Sequence, residues 1–359
     1  MTEPDEKPKR RVRYRGTHPR QFAEKYKEHD PDRFADDVAK VLASGKTPAG
    51  THRPIMVREI MQVLAPQPGE IAVDCTLGYG GHASELLAAV QPSGRLLALD
   101  ADPIELPKTE ARLRSLGFPS ETLIVRRSNF AGVASLIAAE SRHGADVLLA
   151  DLGLSSMQID DPSRGFTFKA DGPLDMRMNP SRGESAAAFL ARIDRVKLAK
   201  LLEENADEPR AAQIAAAIMF AQSREPLTTT QALAEIVRDI VSRLPQRGDE
   251  KPDDAVRRVF QALRISVNDE FGVLDMLLRN LPFCLKPGGR AAILTFHSGE
   301  DRRVKLAFKQ GLRDGLYSSI ADDVVRASPA EQRANPRSSS AKLRFAVRAL
   351  NPHDATVKD

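Results

Sequence analysis

Three glycines fall within four positions, Gly78, Gly80 and Gly81, in the stretch DCTLGYGGHASELL at residues 74–87. Glycine tolerates left-handed backbone and lets the main chain approach a ligand closely. A glycine turn between an apolar run and a helical pattern is therefore suited to cradle a nucleotide-like molecule. Gly78, Gly80 and Ala83 satisfy a loose G-x-G-x-x-G/A pattern, which nicotinamide, flavin and S-adenosylmethionine (SAM) enzymes share. A carboxylate, Asp100, ends the next apolar run 22 positions after Gly78. There it can accept hydrogen bonds from both hydroxyls of a ribose; the plainer reading is a strand-end aspartate capping the DPIEL segment. Electrostatics narrow the ligand. A pyrophosphate favours a helix N-terminus free of negative charge, whereas Asp74 ends the strand just before this loop. A carboxylate there suits a cation, such as the ammonium and sulfonium of SAM.

These residues need a scaffold to bring them together. Apolar runs (IAVDCT, GRLLALDAD, ETLIVRRSNF, ADVLLADLG) alternate with helical patterns. Fully apolar strand cores separated by helices predict a parallel sheet covered on both faces, in a doubly wound α/β fold. Such sheets bind ligands at their carboxyl edge. From about residue 160 to 258 the alternation stops, and only helical patterns and loops follow: AAAFLARIDRVKLAKLLEENA, PRAAQIAAAIMFAQSR and TTQALAEIVRDIVSRL. One further helical pattern, AVRRVFQALRISVNDEFGVLDMLLRNLPFCL, leads to strand-like KPGGRAAILTFHS, and KLRFAVRAL is the last strand candidate. The expected organisation is an extension over 1–50, the first part of the α/β domain over 51–158, a helical insertion over 159–258 that covers the ligand edge or holds the substrate, and the second part over 259–359.

Composition bounds the class. The 359 residues include no run of eighteen apolar positions, so no membrane span is expected, and the charged N-terminus lacks a secretory h-region. Two cysteines, Cys75 and Cys284, are too few for a disulfide framework or a zinc site, which fits a reducing cytoplasm and predicts no metal. The net charge is only +4, but KPKRRVRYRGTHPR at residues 7–20 is dense in Lys and Arg, and Arg333, Arg337, Lys342, Arg344 and Arg348 lie near the other end. Basic arms around a near-neutral body suggest a polyanionic partner; a solubilising tail is the alternative for the N-terminal arm. No protein partner is deducible.

With HRPIMVREI (52–60), DCTLGYGGH (74–82), DLGLSSMQIDDPSRGFTFKADGPLDMRMNP (151–180), FQALRISVNDE (260–270), LKPGGRAAILTFHSGEDR (285–302) and NPRSSSAKLR (335–344), the chain closely resembles the bacterial RsmH/MraW family. The resemblance runs from about residue 52 to 349. It implies a SAM-dependent 16S rRNA cytosine-N4 methyltransferase acting on the decoding region of the small ribosomal subunit, on a class I, Rossmann-like sheet with an inserted all-helical domain. Carried over by motif, it implies SAM contacts at Gly80, Gly81, His82 and Asp100, with Phe130 beside the adenine and Asp151 and Gln158 beyond the fourth strand. The sequence departs from the family pattern at Leu77, Tyr79 and Ala83, at Gly299 where leucine is usual, and in KPDDAVRR before the FQALRI helix.

Methyl transfer from a sulfonium is an in-line displacement that asks the protein for alignment and electrostatics. Many amino methyltransferases carry an Asp/Asn-Pro-Pro-aromatic motif at the end of the fourth strand; DLGLSS has no proline there, but Asp151 keeps the carboxylate and is expected to organise the site. A cytosine-C5 mechanism needs a cysteine nucleophile, and neither Cys75 nor Cys284 is well placed. His297, with Ser298, Glu300, Asp301 and Arg302, follows the fifth strand and is a second catalytic candidate. Arg164, Asp171, Asp175 and Arg177 read either as a salt-bridged loop or as RNA placement. Gln261, Arg264 and Asn268 share one helix face, either as a buried network or as the rim of an RNA site. A catalytically silent RNA-binding or assembly factor and a nicotinamide oxidoreductase are the competing functions.

Overall fold

A computed structural model describes residues 54–350, and this part of the chain is one compact unit. The extension over 1–50, with its basic stretch, lies outside the described residues. A seven-stranded sheet has the order β3-β2-β1-β4-β5-β7-β6, with β1 Ile71–Asp74, β2 Arg95–Asp100, β3 Leu123–Arg127, β4 Ala145–Asp151, β5 Leu285–Thr295, β6 Tyr317–Ile320 and β7 Lys342–Arg348. The pairs from β3 to β5 are parallel, and β7 runs antiparallel between β5 and β6. This is a doubly wound, Rossmann-like sheet with an antiparallel strand pair at one edge.

The period of two in a strand sorts its residues onto two cores. Val73, Leu97, Leu99, Leu148, Ala150, Ala291 and Ile293 face one way, under α4 (Val133–Glu140), α11 (Glu270–Cys284) and α12 (Ser298–Arg313). Ala72, Leu96, Ala98, Val147, Leu149, Ala292 and Leu294 face the other, under α1 (Val57–Leu64), α2 (Gly81–Val90) and α3 (Glu105–Arg114). The order of the strands reverses between β1 and β4, which opens a crevice at the carboxyl edge. Three adjacent strands, β1, β2 and β4, end there in Asp74, Asp100 and Asp151.

Between β4 and β5 lie α5 (Ser156–Asp160), α6 (Ala186–Arg192), α7 (Arg195–Ala206), α8 (Ala211–Arg224), α9 (Thr230–Ser242) and α10 (Pro252–Val267). α6 to α10 bury a third core of their own, running from Phe166 through Leu198, Ile214 and Val237 to Leu263. α10 crosses position 258 without a break and contributes Val256, Val259, Phe260 and Leu263 to that core. Two helical patterns are divided. Asp194 caps the Lys197 N–H at 2.8 Å and separates α6 from α7. The long pattern from 255 turns at Asn268–Asp269, where Asp269 takes φ 48°, and restarts as α11. β6, YSSI, went unread because its two central serines are exposed and give no apolar alternation.

Four of the five C-terminal basic residues are engaged by the fold, and Arg333 is exposed. Arg337 pairs with Asp160 at 3.0 Å, Arg344 and Lys342 with Asp301 at 2.6 and 3.4 Å, and Arg348 donates to the Pro282 carbonyl. Strand β7 needs these partners to fix its ends, so their charge serves the fold. No helix among the described residues is long and apolar enough to cross a membrane.

Candidate active site

The loop after β1 is held in shape from behind. Gly78 and Gly80 adopt φ 47° and 73°, where a side chain would be strained, and a Cβ on Gly80 would lie 2.9 Å from Thr109. The Gly78 N–H donates to Asp100 Oδ2 at 2.7 Å, and Thr109 Oγ1 donates to the Gly78 carbonyl at 2.6 Å. Asp100 Oδ1 takes the Asp102 N–H at 2.8 Å. Each carboxylate oxygen thus holds one amide and keeps further acceptor capacity. Burial raises the Asp100 carboxyl.

Gly81 opens α2 under a strap formed by Pro54, Ile55 and Met56. A Cβ on Gly81 would lie 2.4 Å from Pro54. His82 Nε2 sits 2.9 Å from the Ile55 carbonyl oxygen, and the Met56 N–H donates to Glu331 Oε1 at 2.8 Å. The other ring nitrogen of His82, Nδ1, lies 3.5 Å from Asp151 Oδ2. The His82 ring is therefore turned to protein groups on both sides.

Asp151 ends β4, its own N–H donating to Thr76 Oγ1 at 2.7 Å. Its Oδ1 is buried without a hydrogen-bond partner. Burial, and then the charge of Glu300, push its carboxyl up to about 7. Asp74 is 1% exposed, accepts the Thr76 N–H at 2.9 Å and is raised by burial to about 6. Its side chain is closed off from direct contact with solvent. Burial pulls His82 down.

Gln158 and Arg164 are gathered by one further aspartate, Asp102. Asp102, 1% exposed, accepts the Ile104 N–H at 2.8 Å and the Glu105 N–H at 3.3 Å in the turn that leads into α3. Its Oδ2 accepts from Gln158 Nε2 at 2.7 Å and Arg164 Nη1 at 2.8 Å. Gln158 also closes a capping box with Ser155 at the start of α5. Its amide is thus largely committed to the frame, with one N–H hydrogen to spare. Phe130, half-buried, opens a 3-10 turn just past β3. The signal for Asp102 was its spacing, two residues beyond the strand-end Asp100 in front of a helical run.

Arg164 Nη2 also donates to the Met178 carbonyl at 2.9 Å, and Asn268 bonds Met178 N–H and Met176 C=O at 2.7 and 2.8 Å. Arg177 pairs with Asp175 at 2.6 Å. Gln261 donates to the Asn205 carbonyl at 3.2 Å and Arg264 grips Glu270 with two bonds of 2.7 and 2.8 Å. The polar stripe on α10 is a half-buried network: Gln261 and Arg264 tie α10 to α7 and α11, and Asn268 pins the 164–178 segment.

His297 is 11% exposed, with Nε2 3.3 Å from Glu300 Oε1, short of hydrogen-bond geometry, and its ring against Phe271. Burial opposes the Glu300 charge, but His297, the Phe296 N–H and Arg264 together hold its carboxyl low. Glu270, His297 and Glu300 present ligand atoms within 4.8 Å of one another. Arg264 already occupies both Glu270 oxygens, so a guanidinium stands where a metal cation would. Gly299 is explained by Phe271, whose ring would lie 2.6 Å from a Cβ at 299. Cys75 and Cys284 are each 2% exposed, and burial raises both thiols, Cys284 to about 11; neither can supply an accessible thiolate.

An open glycine loop, a carboxylate with spare acceptor capacity at the end of β2, and a cluster of buried acids fit a ligand that carries both a ribose and positive charge. These features match SAM better than a pyrophosphate-bearing dinucleotide.

A sequence model of the MraW methylase family matches residues 49–349. The chain is 50% identical over 352 residues, 97% of its length and all of the relative's, to "Ribosomal RNA small subunit methyltransferase H 2" of Alkaliphilus metalliredigens. It is 48% identical over 343 residues, 95% of its length and 93% of the relative's, to "Ribosomal RNA small subunit methyltransferase H 1" of Lachnoclostridium phytofermentans. It is 39% identical over 320 residues, 84% of its length and 92% of the relative's, to "Ribosomal RNA small subunit methyltransferase H" of Granulibacter bethesdensis.

Proposed function

This chain belongs to the MraW methylase family, a family of SAM-dependent methyltransferases, and from that premise we propose that it methylates the exocyclic N4 of a cytosine in the 16S rRNA of the small ribosomal subunit, in its decoding region. The observation that carries this reading is the unpartnered Oδ1 of Asp151 at the carboxyl end of β4, beside the glycine loop.

SAM, when bound, supplies a methyl group activated by a sulfonium. In this reading Gly80, Gly81 and the residues around them let backbone amides approach the amino-acid part of the ligand. Asp100 accepts from the ribose hydroxyls. Phe130 flanks the adenine, and Gln158 reaches the cofactor from the far side with its spare N–H. Asp74 and Asp151 favour the positive charge by their field. The lone pair of a cytosine N4 is delocalised into the ring, and a carboxylate that accepts from the amino hydrogens localises it toward the methyl. Asp151 takes that role. No strong general base has to be ready beforehand, because the amine proton becomes acidic as the N–C bond forms. His297, wedged between Glu300 and Phe271, shapes the floor of the site.

The helical layer between β4 and β5 would receive the RNA, and the base would have to be unstacked to reach the methyl, which is cheaper in a loop than in a duplex. Assembled or nearly assembled small subunits are the expected substrate, and the cytoplasm is the compartment where they occur.

The test is tritium transfer from labelled SAM to unmethylated small subunits, followed by nucleoside analysis, with Asp100→Ala in parallel. The expected result is label in N4-methylcytidine that falls at least tenfold at fixed SAM in the variant, because one ribose contact of this kind is worth about 1.5–3 kcal/mol. Label in another nucleoside overturns the target assignment. SAM binding without any transfer favours a silent assembly factor.

A further inference from the structure

We propose that His82 is a positioning residue for Asp151 and not a side-chain ligand of the cofactor: the Ile55 carbonyl locks its ring so that Nδ1 faces Asp151, which is thereby held to receive the proton released by the target amine. This rests on the amino-methylation reading above and assigns the path of the proton within it.

The argument begins with the tautomer. The Ile55 oxygen can only accept, so His82 Nε2, 2.9 Å away, carries the hydrogen and donates it. Nδ1 of the neutral ring is then a lone pair, and it lies 3.5 Å from Asp151 Oδ2. A lone pair facing an ionised carboxylate is repulsive, so a proton belongs between the two groups. The separation is long for a finished hydrogen bond, as is common before a site closes on its ligands. Ile55 cannot drift, because the strap that contains it is fixed by Glu331 on Met56 and by Pro54 packed on Gly81. The ring has no freedom left to turn toward a cofactor.

The charged groups around the pair favour keeping that proton. Asp74 from β1, Glu85 from the next turn of α2 and Glu331 from α13 (Pro329–Ala334) face His82, and Glu300 at the start of α12 faces Asp151. All four are acids. Burial depresses the imidazole and lifts the Asp151 carboxyl to about 7, so in the ligand-free site the shared proton sits on Asp151. A cationic ligand lowers the Asp151 carboxyl, so that proton leaves to solvent and Asp151 stands ionised, ready to accept from the amine, with His82 Nδ1 still a lone pair. As the target nitrogen forms its bond to the methyl carbon, the sulfur keeps the old bonding pair and the nitrogen becomes positive. One N–H then breaks, its electron pair returns to nitrogen, and the proton passes to Asp151. From there it is shared with His82 Nδ1 and lost to solvent.

Nitrogen-15 NMR of the full-length, histidine-labelled protein without ligand tests the positioning directly. Loss in His82→Gln or His82→Asn identifies the His82 signals. The expected result is the Nε2–H tautomer, with an Nδ1 resonance that moves when Asp151 is replaced by Asn. An Nδ1–H tautomer, or an Nδ1 signal indifferent to Asp151→Asn, overturns the proposal. Kinetics supply the second readout. His82→Gln keeps a donor for Ile55 and removes the group facing Asp151, so kcat should fall about tenfold to a hundredfold and the acidic limb of its pH profile should shift, while the SAM Kd stays within about threefold. A Kd that weakens in step with kcat, with an unmoved pH profile, makes His82 a cofactor ligand and overturns the idea. Absence of N4-methylcytidine from the unmodified protein refutes the methylation reading and the proton's origin with it; the tautomer measurement would still decide the His82–Asp151 contact.

Discussion

Burial lifts the Asp151 carboxyl to about 7, against about 3.9 in an unfolded chain. The sign of the consequence follows from that order. Below the unfolded value both states hold the proton and nothing is lost. As pH rises from about 4 to about 7 the unfolded chain ionises first, so the fold loses stability across that window by an amount of order 4 kcal/mol. Asp151→Asn has no such charge to bury. In ligand-free protein it should match the unmodified chain in Tm near about pH 3, below the unfolded pKa, and exceed it by several degrees at about pH 8, by calorimetry; equal Tm values at pH 8 would show that Asp151 is not desolvated. The residues on which this rests differ in how far the sequence exposed them. Asp100 and the glycines were legible because they obey a local spacing. Asp151 was legible as a strand end. The hub role of Asp102 was not, because Gln158 and Arg164 come to it from 56 and 62 positions away, and no local pattern encodes a contact of that range.

At the scale of elements, the segment from 164 to 178 has little regular structure and depends on helices for its shape. Asn268, at the end of α10, supplies two of its backbone bonds. Asn268→Ala would orphan the Met178 N–H and the Met176 C=O, each costing about 1–3 kcal/mol. The expected outcome is faster hydrogen exchange at 176–178 and a weaker SAM Kd, because the same loop steadies Arg164 and, through Asp102, Gln158. Unchanged exchange at 176–178 would mean that the loop holds itself. The parallel strands and the amphipathic helices were readable from period and polarity. The break at Asn268–Asp269 was not, since apolar residues continue in helical register on both sides and only a left-handed Asp269 marks the turn. The choice between a buried network and an RNA rim for Gln261, Arg264 and Asn268 likewise needed three dimensions, because their partners lie in α7, α11 and the loop.

For the whole molecule, the basic residues divide into those that hold the fold and those that remain for a polyanion. Near the C-terminus Arg337, Lys342, Arg344 and Arg348 are engaged by the fold. The seven Lys and Arg between residues 7 and 20 lie outside the described residues, and they are proposed to grip RNA phosphates. Removing residues 1–50 should weaken binding to small subunits most at low salt and flatten the slope of log K against log salt by up to about 5, with saturating turnover retained. A large fall in saturating turnover would place that segment in the catalytic step instead. The strap over the glycine loop has one more consequence, which concerns time. Met56 is made early, and the Glu331 that fastens it is added 275 residues later. β7, which completes the sheet beside β5, comes later still. A chain synthesised from its N-terminus therefore builds the cradle long before the clasp, and the strap over the glycine loop is fastened only after Glu331 has been added.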